Sequence, residues 1–295
     1  MKEINRIFAV EFQIIKFMYH SSKNISGLII VCAVAMAVAF SCGKNTKQSK
    51  YSVDFDTIHI DDTFQFDTLK QVFKYNVKAD FTYPENCSDT AKLHKLQSIF
   101  IAAVLSENFS SLTPQQAVDS FHRQEETRFF SDMRYDEDEP ADTATWELYY
   151  HVSNNITGYN NNIISFTVEL SGYTGGAHGY HGVAGYVYDL STDGFITEDD
   201  FAGINYRQNM AAVITGKIKE IHGIEPDGQL DEFDFWSNEI EPNGNFSIDS
   251  RGITYYFNEY EIAPYSSGMT AVFIPFNELV VYISDSNPLT NFFRK

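Results

Sequence analysis

The chain has 295 residues, with 40 Asp and Glu against 21 Lys and Arg and a formal charge of −19 at pH 7. A field of that sign repels nucleic acid and anionic lipid heads, which excludes polyanions as partners, and it favours encounters with cationic proteins in a salt-dependent way. Two of the three cysteines, Cys32 and Cys42, fall near the N-terminus, so Cys87 stands alone in the folded part and no intrachain disulfide is expected; stability must come from buried apolar surface, which about 240 residues rich in Phe and Tyr supply for one or two domains.

Lys16 and Lys23 precede an uncharged run from Leu28 to Phe40, thirteen residues long. That is short of the roughly 20 apolar residues that span a bilayer and within the roughly 7 to 15 of a signal-peptide core. The following Ala39-Phe40-Ser41-Cys42-Gly43 resembles the lipobox of bacterial lipoproteins, which implies cleavage before Cys42 and lipid on that cysteine. Residues 1–41 are therefore expected to be a lipoprotein signal peptide starting at Met1 or Met18, leaving 17 basic and 38 acidic residues, a formal −21. The membrane is reached through the lipid anchor only, and too few residues precede the apolar run for a cytoplasmic domain. Residues 42–52, polar and lysine-bearing, read as a flexible tether. With Gly43-Lys44-Asn45 rather than an acidic run after Cys42, the expected address is the cell envelope, at the periplasmic face of the outer membrane.

From Phe73 to Tyr83 apolar residues alternate with Lys74, Asn76, Lys78, Asp80 and Thr82, the period of a half-buried strand. Ser88 or Asp89 can cap a helix carrying Leu93, Leu96, Phe100, Ala103 and Val104 on one face. Thr113-Pro114 opens a second, ahead of Ala117, Val118 and Phe121. The acidic stretch Asp136 to Asp142 interrupts regular structure, and alternation resumes at Trp146, Leu148, Tyr150 and Val152. Strands follow at Ile164 to Leu170, at Gly185 to Leu190, and on both sides of Asp249-Ser250-Arg251-Gly252 as a hairpin. Between them Met210, Val213, Ile214, Ile218 and Ile221 give a helical face that ends before Gly223. The fold class is α+β, helices packed on largely antiparallel sheet in two lobes, with domains over 53–160 and 161–295.

The densest unusual segment runs from Ser171 to His181. Its glycines follow a strand, yet a phosphate loop also needs a lysine and a helix N-terminus, so Gly175, Gly176 and Gly179 are read as structural turn residues, at least one of them in a conformation closed to residues with a Cβ. His178 and His181 with Asp199 and Asp200 can be drawn as a metal site, but the spacing is not diagnostic and no third histidine or cysteine is near; a histidine bonding across the turn is the preferred reading. No Gly-x-Ser-x-Gly elbow or serine–lysine pair is present, so no catalytic residue, cofactor or metal is expected.

Tyr173-Thr174-Gly175-Gly176-Ala177-His178-Gly179, the later Asp189-Leu190 with Gly194 and Phe201, and the block from Tyr255 to Tyr265 resemble the extracellular domain of the RsiV-like sensors, lysozyme-sensing anti-sigma factors whose first module is PdaC-like. The match is strong from Ile164 to Leu279 and a matter of pattern from Val53 to Asn160. The resemblance implies a noncatalytic role and capture of lysozyme, whereas the transmembrane helix and sigma-binding segment of those sensors have no counterpart here. Carried over, the candidate contact residues are Pro264 and Tyr265, with Tyr260, His178 and Tyr180 as neighbours. The alternative is that these aromatics are core and Pro264 shapes a bend. The expected function is thus a lipid-anchored binding protein for a cationic protein such as lysozyme; a module for peptidoglycan or another envelope glycan and an unrecognised hydrolase are the alternatives.

Overall fold

A computed structural model describes residues 51–68, 71–133, 144–160, 162–284, 287–289 and 292. The signal segment, Cys42, nearly all of the tether and the stretch from Asp136 to Asp142 lie outside the described residues.

The alternation at Phe73 to Tyr83 forms β2 (Gln71–Cys87), with Tyr75, Val77, Ala79 and Phe81 buried. β1 (Val53–Asp67) pairs antiparallel along its whole length, while β3 (Ala144–Asn160) lies parallel on the other side. A parallel neighbour requires a crossover. α1 (Thr90–Val104) and α2 (Pro114–Asp132) supply it. Asp89 caps the first, accepting from the Ala91 and Lys92 amides at 3.0 and 3.2 Å, and Thr113 forms a capping box with Gln116 on the second. Both helices bury one face of the sheet through Leu96, Phe100, Ile101, Val104, Ala117, Val118 and Phe121. Phe100 stacks on Phe166 at 4.2 Å between ring centroids. Each such buried ring contributes roughly 2 kcal/mol.

β4 (Ile163–Tyr173), β5 (Tyr180–Asp189) and β6 (Gly194–Phe195) extend the sheet antiparallel, giving six strands in chain order. The boundary placed near Asn160 falls in the β3–β4 turn, so strands from either side of it share one ladder.

A second sheet of β7 (Phe246–Ile248), β8 (Gly252–Phe257) and β9 (Thr270–Pro275) contains the anticipated hairpin, its turn held by Asp249 Oδ1 accepting from the Arg251 amide at 2.7 Å. The short α3 (Glu198–Phe201) precedes α4 (Tyr206–His222), which buries Met210, Ile214 and Ile218 and ends at Gly223 with φ 65°. Another short helix, α5 (Phe276–Leu279), follows β9. β7 crosses the face of the first sheet opposite α1 and α2. The Ser165 and Thr157 side chains bond the Ile248 backbone at 2.9 and 3.0 Å, and the Gly185 amide donates to Asn245 Oδ1 at 2.8 Å.

Within this second core Glu198 is buried, its Oε1 without a hydrogen bond of good geometry. Tyr206 and Tyr255 bond each other through their hydroxyls at 2.7 Å beside it. Burial pushes the Glu198 carboxyl above its ordinary 4.5, with Tyr255, Arg207 and the Gly244 backbone pulling the other way. A folded-state pKa above the unfolded one favours the protonated protein. The cost of burying the carboxylate therefore appears as pH rises through the folded value and is absent below the unfolded value. In Glu198→Gln the amide oxygen can still accept from Tyr255 or the Gly244 backbone, whereas the charge pairing with Arg207, 3.5 Å away and 60% exposed, is lost, a contact of little weight. Glu198→Gln is expected to melt above the wild type at pH 7, with the gap closing toward pH 4; a gap that widens on acidification refutes this account.

Candidate functional site

The glycine segment joins β4 to β5, and Gly175 and Gly176 adopt φ of 95° and 104° with nothing within 4 Å of an added Cβ. Only backbone strain opposes a side chain there. Gly175→Ala and Gly176→Ala are each expected to cost about 1 kcal/mol, and thermal melts indistinguishable from wild type for both refute the turn argument. Gly179 serves differently: its Cβ would sit 2.7 Å from the Gly172 carbonyl oxygen. Tyr180 turns its ring over Gly172, where a Cβ would lie 2.3 Å from its hydroxyl, so this candidate packs against the base of the loop.

His178 is exposed and stacks on Tyr265, centroids 3.9 Å apart at 22°. Its Nδ1 lies 2.7 Å from the Gly179 carbonyl oxygen, which can only accept, so Nδ1 carries the proton. In the neutral ring Nε2 is then an acceptor, and Tyr260 donates its hydroxyl to it at 3.2 Å. The His178 ring thus bonds the backbone of its own neighbour Gly179 and also joins a surface aromatic cluster. Tyr260 sits at φ 63°, a conformation that costs an aromatic residue on the order of 1–2 kcal/mol. The turn enforces it: the Glu261 amide donates to Asn258 O at 3.0 Å, and Glu261 Oε2 accepts from the Asn258 amide, also at 3.0 Å. The result is a tyrosine ring 53% exposed beside His178. Pro264 starts the 3-10 turn Tyr265–Ser267, and both Pro264 and Tyr265 are half-buried, so the reading of these aromatics as core does not hold for Tyr260.

Carboxylates flank the cluster. Glu259 Oε2 accepts from the His181 amide at 3.2 Å, and the His181 ring Nε2 is 2.8 Å from Glu169 Oε1. Partial desolvation, with Glu259, Tyr149 and Tyr260 nearby, raises the Tyr265 hydroxyl above its usual range, so it remains a donor at neutral pH. Asp200 bonds Thr197 at the start of α3, and among the described residues no group of three His, Cys, Asp or Glu is placed to hold a metal ion.

Beside the cluster the first sheet shows its second face. Asp61, Lys78, His151, Ser171 and His181 are in register across β1 to β5, and Thr63, Asn76, Tyr149 and Tyr173 form the adjacent row. No sequence motif marked Asn76, Tyr149, His151 or Glu169, because strand register brings them together over more than ninety residues.

Residues 195–277 match the model of the DUF3298 family, a protein family of unknown function. The matched segment runs from β6 through β9 and contains Tyr260, Pro264 and Tyr265, while His178 and the glycine turn precede it. Among solved structures, a DUF3298 family member from Bacteroides fragilis NCTC 9343 superposes with TM-score 0.68 at 24% identity, covering 82% of this chain and 97% of that one. A DUF3298 family protein from Pseudomonas aeruginosa PAO1 gives TM-score 0.54 at 15% identity, covering 79% and 95%. These likenesses concern the fold. No curated protein matches the chain, and no helix among the described residues is long and apolar enough to cross a membrane.

Proposed function

We propose that the protein is a lipid-anchored envelope binding protein that captures a cationic protein of the lysozyme type through the surface around Tyr265. The observation that carries this reading is convergence: His178 and Tyr265, 87 residues apart, stack on each other beside an exposed Tyr260 held in a strained conformation. Rigid aromatic rings give contact area at low entropy cost, and the flanking Glu169 and Glu259 suit a cationic partner. The overall negative charge adds steering over roughly 8 to 10 Å at physiological ionic strength. Lipid on Cys42 would hold the domain at the periplasmic face of the outer membrane; fatty-acid analogue labelling that is absent from the wild type refutes the anchor.

Titration calorimetry of residues 49–295 with a C-type lysozyme tests the binding. Saturable binding that weakens but persists as salt rises is expected, with Tyr265→Ala weakening it by about ten- to a hundredfold, or ~1.4 to 2.8 kcal/mol, without unfolding the domain. Absence of saturable binding at low salt, or equal affinity of wild type and Tyr265→Ala, overturns the proposal.

A further inference from the structure

The face of the first sheet opposite α1 and α2 is covered by β7 only at its Gly185 end. Toward Asn76 and Tyr149 it stays partly open, and it carries a set of polar and aromatic groups that meets the surface around Tyr265 at Tyr149 and His181. We propose that this floor, from Asn76 across Tyr149, His151, Ser171 and Tyr173 to His181, binds a neutral oligosaccharide.

Tyr149 and Tyr173 are opposite each other on β3 and β4, both half-exposed. Their rings are held, Tyr149 against His151 at 4.9 Å between centroids and Tyr173 through its hydroxyl to Gly176 O at 2.9 Å. Paired, fixed aromatic surfaces of this kind suit the apolar C–H faces of sugar rings, and the polar groups for sugar hydroxyls stand in the same row, at Asn76, and in the next, at His151 and Ser171. Asn76 is locked by three bonds from its Nδ2, to Asp61 Oδ1 at 2.9 Å and to Asp62 O and Thr63 Oγ1 at 3.1 Å. Its Oδ1 therefore faces His151, whose Nε2–H donates to it at 2.6 Å. Burial and Lys78 lower the His151 pKa, so the ring is neutral at pH 7 and its Nδ1 remains an acceptor. An acceptor is thus positioned before any ligand arrives, which reduces the ordering cost of binding.

The span and the charge define the ligand class. Four strands, β2 to β5, about 4.8 Å apart give a floor on the order of 14 Å, enough for a short oligosaccharide. Asp61, Asp80, Glu147 and Glu169 point to the same side of the sheet as the floor and outnumber Lys74 and Lys78, which disfavours sulfated, phosphorylated or uronic-acid glycans. A neutral chain avoids that repulsion while using the hydroxyl-binding groups.

Calorimetry of residues 49–295 with chitohexaose and cellohexaose, with oligogalacturonate as an anionic probe and hexalysine as a cationic peptide, tests this. Saturable binding of at least one neutral hexasaccharide is expected, with none for oligogalacturonate. Tyr149→Ala should weaken it at least tenfold. Because Tyr149 also lies near Gly179, Ser171→Trp provides an independent variant that fills the floor from a half-exposed position and should abolish sugar binding while leaving lysozyme binding intact. Binding of neither neutral probe, binding of hexalysine alone, or sugar affinity unchanged in Ser171→Trp overturns the proposal. Loss of lysozyme binding in Tyr265→Ala with sugar binding retained separates this site from the one around Tyr265.

Discussion

Gly185→Ala is expected to destabilise the protein by about 3 kcal/mol or more, a large share of a domain's total stability. An added Cβ at this position would stand 2.2 Å from the Phe246 carbonyl oxygen, 2.3 Å from its carbon and 2.9 Å from the Ser247 nitrogen. All three are backbone atoms, so no side-chain rotation relieves the clash. Retreat of β7 is opposed by the bonds that hold it on the sheet: Gly185 to Asn245 at 2.8 Å, Ile248 to Ser165 at 2.9 Å and Thr157 to Ile248 at 3.0 Å. Either the overlap stays or buried bonds open, and each net bond lost adds about 1 kcal/mol. Gly216→Ala is the matched control. That residue lies exposed within α4 with nothing near an added Cβ, so alanine should stabilise by roughly 0.5–1 kcal/mol. Urea unfolding of both variants decides the point; similar midpoints for the two would show that β7 is free to shift.

The helices and most strands were legible because each carries its own period. The caps at Asp89 and Thr113 and the stop at Gly223 are local chemistry, which sequence states directly. β1 was missed for an equally local reason. Val53 and Phe55 are apolar at odd positions, whereas Ile58, Ile60, Phe64 and Phe66 are apolar at even ones, so no single alternation runs through the strand. β9 was missed because Phe273, 37% exposed, stands among buried Val272 and Ile274 and hides the period in a continuous apolar run. Parallel pairing of β2 with β3 follows from the crossover of two helices and has no signature in either strand.

The site divides in the same way. The Gly175-Gly176 turn and the block ending at Tyr265 are contiguous segments with unusual composition, and they are where the structure gathers exposed aromatics. Tyr180, chosen from the same segment, packs on Gly172, because residues in a strand alternate sides and the loop's exposed tip is His178. The floor from Asn76 to His181 depends on the register of four strands, β2 to β5, a long-range property that spacing along the chain does not encode.

Glu125→Ala is expected to lose about 3 kcal/mol, from a cause unlike that at Gly185. Glu125 is 2% exposed on the inner side of α2, where its Oε2 accepts from the Tyr75 hydroxyl at 2.7 Å and from the Arg128 guanidinium. Arg128 also donates to Tyr75 at 2.8 Å and lies over the Tyr150 ring, its carbon 5.4 Å from the centroid. Removing the carboxylate takes a counter-charge from a mostly buried guanidinium and an acceptor from the buried Tyr75 hydroxyl, and desolvation of such groups costs more than the intact pair contributes. The double variant Glu125→Leu with Arg128→Met removes both charges and keeps the volume, so it should recover most of the loss. A thermodynamic cycle over the two single variants and the double reads the coupling. If the double variant is as unstable as the sum of the singles, the two side chains are not coupled and the ion pair has no specific role.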